Sequence, residues 1–132
     1  MFLLDTNIIL EYLLDQKNAD EVETFFRKRS PDEMYLSEFS LYSLGIICSK
    51  RGKNNAFLAF VDDAIISSGL RILRLDIQDY VKMVQIQEKF GLDFDDAYQY
   101  RVADKFDLTI VSYDTDFKAT ERKCVTPLEA LR

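Results

Sequence analysis

The chain has 132 residues, 48% hydrophobic and 13% aromatic, enough for one compact domain spanning 1–132 with a sizeable core. Its 17 Lys and Arg against 23 Asp and Glu leave a net charge of −6, which argues against a protein that coats nucleic acid electrostatically. Histidine is absent altogether, which removes His-based acid–base chemistry, Ser-His-Asp and Cys-His nucleophiles and His-ligated zinc from this chain.

In chain order, residues 2 to 5 read as a short strand, too apolar to alternate and so suited to a parallel sheet covered on both faces. Ile8, Ile9, Tyr12 and Leu13 recur at helical spacing, and Val22, Phe25 and Phe26 give a second helix ending in Arg27-Lys28-Arg29, which Ser30-Pro31 stops. Met34 to Leu36 is a second strand, and Ser37 caps a helix from Glu38 to about Lys50, with Gly52 at its end. A helix is expected over Ala56 to Ile66, a strand over Leu70 to Leu75, and helices over Ile77 to Phe90 and Asp95 to Phe106. Leu108 to Ser112 and Cys124-Val125 complete the strands, and Pro127 starts a final helical turn. Strands alternating with helices imply a three-layer α/β/α sandwich around a mostly parallel sheet of four to five strands.

No apolar run approaches the roughly 18 residues that cross a bilayer, and the first residues read straight into a strand, so a cytoplasmic protein without membrane association is expected. Cys48 and Cys124 lack metal-type spacing and read as inert thiols.

Acids stand at three informative places. Asp5 ends the first strand, Asp114 and Asp116 follow the strand Ile110-Val111-Ser112, and Asp93, Asp95 and Asp96 open a helix. Each has an ordinary explanation as a helix cap or turn residue. If the first and fourth strands are neighbours, a spacing of ~5 Å brings Asp5 and Asp114 within reach of one ion, with Ser112 able to hydrogen-bond a carboxylate. At ~100° per residue, Asp96 and then Asp93 are the better placed of the helical acids, and Asp95 points elsewhere. Two carboxylates about 4 Å apart repel by roughly 4 kcal/mol at an effective dielectric of 20, so three converge only around a cation or a proton. An all-oxygen site suits Mg²⁺ or Mn²⁺.

With Leu4-Asp5-Thr6-Asn7 opening the chain, Asp96-Ala97 on a helix and Val111-Ser112-Tyr113-Asp114-Thr115-Asp116-Phe117 near the close, the sequence resembles the PIN-domain family of metal-dependent ribonucleases that includes the VapC toxins. The resemblance covers essentially the whole chain. It implies a metal-dependent endoribonuclease leaving a 5′-phosphate and a 3′-hydroxyl, an RNA substrate, an antitoxin partner and a homodimer. Asp5, Asp96 and Asp114 would hold the main ion, and Asp93 and Asp116 would serve a second. The glutamate that family members carry in the helix after the second strand would fall near Ser43, whereas this chain has Glu38, the expected catalytic stand-in at the start of that helix.

Among the scattered basic residues, Lys118, Arg122 and Lys123 are the expected substrate clamp. Asp5→Asn is expected to abolish cleavage with stability unchanged or raised. Two rivals stand beside this reading: a PIN-like domain that binds RNA or protein but cuts poorly, and a phosphotransfer domain with an acceptor aspartate. Asn7 argues against the phosphatase form of the latter, and the receiver form needs a lysine after a late strand, where none follows Val111.

Overall fold

Five strands, β1 (Phe2–Leu4), β2 (Met34–Ser37), β3 (Arg71–Leu73), β4 (Thr109–Val111) and β5 (Cys124–Val125), form one sheet in the order β3-β2-β1-β4-β5 in a computed structural model that describes all 132 residues. Every neighbouring pair is parallel. Seven α-helices flank it: α1 (Thr6–Leu13), α2 (Ala19–Lys28), α3 (Glu38–Lys50), α4 (Asn54–Phe60), α5 (Asp79–Phe90), α6 (Phe94–Phe106) and α7 (Pro127–Ala130). The three-layer sandwich expected from the alternation of elements is the observed fold. No helix is long and apolar enough to cross a membrane.

The apolar strands read correctly as doubly covered. Leu3 and Ile110 enter a core beneath α5 and α6 with Met83, Tyr98 and Val102, while Leu4 and Val111 enter a second core on the other face with Ile8, Phe25 and Leu44. Successive strand residues point to opposite faces, so burying both faces demands an unbroken apolar run. Removing any of these buried groups leaves a cavity as well as losing transfer energy.

Some boundaries differ from the expectation. The helix expected over 56–66 starts at Asn54 and passes at Val61–Ser67 into a π-helical stretch. There the Ser68 N–H donates to the Asp63 carbonyl and the Leu70 N–H to the Ala64 carbonyl, widening the last turns before Gly69. The strand expected over 70–75 pairs only from Arg71 to Leu73, and α5 starts at Asp79 rather than Ile77. Gly91, with φ +66°, ends α5 in the left-handed conformation that glycine adopts freely.

The chain winds outward from β1 to β2 and β3, then crosses back to place β4 on the far side of β1. Strand order therefore reverses between β1 and β4. That crevice, at the carboxyl ends of the strands, is where open α/β sheets bind ligands.

Opposite it, the amino-terminal edge of the sheet is braced by ion pairs. Asp79, buried, accepts from Lys105 at 2.7 Å and from Arg101 at 3.0 Å, tying α5 to α6. The Lys105 ammonium leads in holding the Asp79 carboxyl below the usual carboxylate range.

Candidate metal centre

Asp5 leaves β1 and caps α1, its Oδ1 accepting from the Thr6 N–H at 2.8 Å. The residue is 7% exposed, and three more donors reach its carboxylate. Gln99 Nε2 lies 3.1 Å from Oδ1, Ser112 Oγ 2.6 Å from Oδ2 and Asn7 Nδ2 3.3 Å from Oδ2. Burial nevertheless pushes the Asp5 pKa up, with the hydrogen bonds from Ser112, Gln99 and the Thr6 N–H pulling the other way. Asn7 ties the two strand ends together: Nδ2 also donates to Ser112 Oγ at 3.0 Å, and Oδ1 accepts the Tyr113 N–H at 3.2 Å. The cap of α1 and the first acid of the carboxylate group are thus one residue.

Carboxylate oxygens of Asp5, Asp96 and Asp114 lie within 4.8 Å of one another. Asp96, 7% exposed on the first turn of α6, has its pKa raised to about 7, first by burial and then by the charges of Asp114, Asp95, Asp5 and Asp116. Asp114 caps a short 3₁₀ turn (Thr115–Ala119), accepting the Asp116 N–H at 2.9 Å. Asp116 is exposed beside it, and the Asp114 charge leads in raising its pKa. Asp93, Asp95 and Asp96 form a second group with oxygens within 4.8 Å of one another, so Asp95 does not turn away as helical spacing suggested. Asp93 and Asp95 are exposed, and Asp96 belongs to both groups. A wholly oxygen donor set of converging carboxylates fits a hard divalent cation.

Residues 2–123 match the PIN domain family. The chain belongs to it. A search of curated proteins matched none of them. Among solved structures, the chain is similar to FitAcB from Neisseria gonorrhoeae (TM-score 0.79, 25% identity, covering 97% of this chain and 99% of that one). It also shares its fold with VapC20 of Mycobacterium tuberculosis, described as a Sarcin-Ricin loop cleaving toxin (TM-score 0.79, 15% identity, 92% and 96% covered). A third is VapBC2 from Rickettsia felis bound to a promoter DNA fragment (TM-score 0.69, 17% identity, 94% and 96% covered).

The helix after β2 adds no carboxylate to the group. Glu38 stands outside the carboxylate group: Oε1 accepts from the Tyr42 hydroxyl at 2.8 Å and Oε2 lies 4.0 Å from Arg74 Nε. The cause is angular. Ser40, fully buried against the site, lies ~200° round the helix from Glu38, while Ser43 lies only ~60° from Ser40. The expectation that Glu38 reaches the pocket is corrected, and the face that would carry the glutamate presents serines. Glu38→Gln is expected to change Mn²⁺ affinity by no more than about twofold, as for an exposed ion pair. Isothermal titration checks this, and a tenfold loss would return Glu38 to the site.

The substrate clamp also shrinks. Arg122 is held by Asp104 at 3.4 Å, Asp107 at 2.8 Å and the Leu108 carbonyl at 3.2 Å, before β4 begins and so at the edge opposite the carboxylates. Lys123, whose carbonyl accepts the Ile110 N–H, directly precedes β5 on that edge. Lys118 is exposed on the turn after Asp116. Burial raises the pKa of both thiols, Cys124 to about 12.

Sequence reasoning missed Gln99 and Ser40. Gln99 Nε2 donates to Ser40 Oγ at 2.7 Å, and Thr6 Oγ1 to the same oxygen at 2.9 Å. The available signal was a glutamine one turn after Asp96 on a face otherwise committed to the core.

Proposed function

We propose that this PIN domain is a Mg²⁺- or Mn²⁺-dependent endoribonuclease that hydrolyses RNA phosphodiester bonds and acts as the toxin of a toxin–antitoxin pair. One observation carries the reading: three carboxylates from β1, α6 and the turn after β4 meet at the switch point within 4.8 Å. Asp5, Asp96 and Asp114 would hold the ion. Bound there, it would lower the pKa of a water and neutralise charge developing on the phosphodiester.

The chain's own groups fill the remaining roles. Ser112, Asn7 and the Thr6 N–H fix Asp5, so the site is organised before it is filled. Lys118 contacts a substrate phosphate. Asp116, exposed and with a raised pKa, is suited to take up and release a proton beside the leaving oxygen.

The antitoxin reading is supported by the toxin–antitoxin assemblies among the similar folds. It is supported also by an apolar cleft of about 580 Å³ away from the acids, lined by Tyr12, Leu13, Phe26, Met34 and Phe60 with Asp15 and Asp63 at its rim. That lining suits an amphipathic segment with basic flanks. Exposed Tyr42 and Ile46 on α3 and Val81 and Val84 on α5 support a homodimer.

A labelled RNA incubated with the protein and Mn²⁺ is expected to be cut, and excess chelator to stop the reaction. No cleavage and no Mn²⁺ binding would overturn the assignment. The second reading, a catalytically weak RNA- or protein-binding PIN domain, draws on the serine at position 43 and the outward Glu38. It requires weak Mn²⁺ binding and no metal-dependent cleavage, which the same pair of measurements distinguishes.

A further inference from the structure

Gln99 is 2% exposed, yet it stands on α6 among fully buried Val102 and Ala103. Helical spacing asks for an apolar residue there. Both Nε2 hydrogens are committed, one to Asp5 Oδ1 at 3.1 Å and one to Ser40 Oγ at 2.7 Å. Its Oε1 is buried and accepts no hydrogen bond. A buried acceptor without a donor is costly, so its persistence points to a partner outside the chain.

Both atoms hang on one planar amide carbon, so Oε1 lies only about 2.3 Å from the Nε2 that is bonded to Asp5. Exchanging them would aim an acceptor at Asp5 Oδ1, which already serves as the acceptor for the Thr6 N–H. Ser40 holds the amide from α3, and Thr6 Oγ1 holds Ser40 from α1. Three helices therefore fix one side chain at the edge of the acid cluster.

We propose that Gln99 is a positioning residue of the cation site, its Nε2 fixing Asp5 and its Oε1 kept as acceptor for the hydration shell of the cation held by Asp5, Asp96 and Asp114. The inference rests on the metal-dependent nuclease reading. It also gives α3 a part in the site through Ser40, on the helix face where Ser43 replaces the family's glutamate.

The test is Mn²⁺ titration followed by electron paramagnetic resonance, paired with thermal melting in chelator and in Mn²⁺. Gln99→Leu is expected to weaken Mn²⁺ binding by about 10- to 100-fold, as the loss of a partner to a metal ligand does, while melting in chelator close to wild type. Gln99→Glu sets a carboxylate against Asp5, so it is expected to melt lower than wild type in chelator and to regain more on adding Mn²⁺. Wild-type Mn²⁺ affinity in Gln99→Leu would overturn the proposal and leave an ordinary buried water as the partner of Oε1. A Gln99→Glu deficit that Mn²⁺ does not repair would overturn it as well. If Gln99→Leu does not fold, Ser40→Ala decides: it frees the amide to rotate, and unchanged Mn²⁺ affinity would count against the proposal. Should wild type itself bind no Mn²⁺, the nuclease reading fails; binding that is indifferent to Gln99 removes only this role.

Discussion

Asp96→Asn is expected to melt higher than wild type in chelator and to cut no RNA. Asp96 is buried, has no side-chain hydrogen-bond donor of its own, and its pKa is driven to about 7 by burial and by the surrounding acids. At neutral pH the metal-free fold therefore carries a penalty that asparagine removes. A tenfold change in proton affinity corresponds to about 1.4 kcal/mol, and solvent screening at the mouth of the site reduces the total, so a gain of about 1 to 2 kcal/mol is expected. For a chain of this length that is a rise of about 3 to 8 °C. Cleavage is expected to fall by at least about 10³-fold, because the amide gives the cation a neutral ligand in place of a charged one. An Asp96→Asn protein that melts at or below wild type would show that Asp96 bears no such strain.

The same shift sets the pH dependence. An acid whose folded pKa lies above its unfolded value of 3.8 binds its proton more tightly when folded. Its stabilising effect is full at low pH and is lost as pH rises toward about 7. Asp5 and Asp116 shift in the same direction, while the lowered Asp79 acts in the opposite sense only below its unfolded pKa of 3.8. The metal-free protein is thus expected to melt lower at pH 8 than at pH 5, and Mn²⁺ to close the gap, since ligands must lose protons to bind it. Thermal scans at the two pH values with chelator or Mn²⁺ provide the check. Asp96→Asn should flatten the profile; a metal-free melting point that climbs from pH 5 to 8 would contradict the reading.

Asp5→Asn is expected to abolish cleavage too, but to melt lower than wild type, opposite to what charge relief alone suggests. Four donors converge on this carboxylate, two on each oxygen. Whichever oxygen becomes an amide nitrogen meets two N–H or O–H groups as another donor. Ser112 cannot easily turn to accept, because its Oγ already accepts from Asn7 and from the Asp114 N–H. Stranding buried donors costs about 1 to 3 kcal/mol and outweighs the relief of repulsion. Differential scanning calorimetry of the two aspartate variants side by side is the direct comparison. Equal upward shifts would mean that the donors around Asp5 contribute little.

The contrast between Asp96 and Asp5 marks the boundary between what local sequence carries and what it does not. Phe2-Leu3-Leu4 and Ile110-Val111, apolar without alternation, announce strands covered on both faces, and Ser37, Gly91 and Pro127 announce helix boundaries. The acids at strand ends and at the start of α6 announce the convergence of Asp5, Asp96 and Asp114. These are statements about backbone preference, burial and charge, which neighbours in the chain determine among themselves.

Tertiary structure decided the rest. Whether Glu38 could stand in for a glutamate near Ser43 depended on which side of α3 meets the sheet, and packing of Ser40 against Gln99 turned Glu38 outward to Tyr42 and Arg74. Arg122 looked close to Asp116 in the chain but runs down to the opposite edge of the sheet, where Asp104 and Asp107 claim it. Periodicity locates a side chain on its own helix or strand. Which atoms it finally meets across gaps of 59 and 94 residues, as Gln99 meets Ser40 and Asp5, is set only when the layers close, because hydrogen bonds act over a few ångströms and carry no trace in local composition.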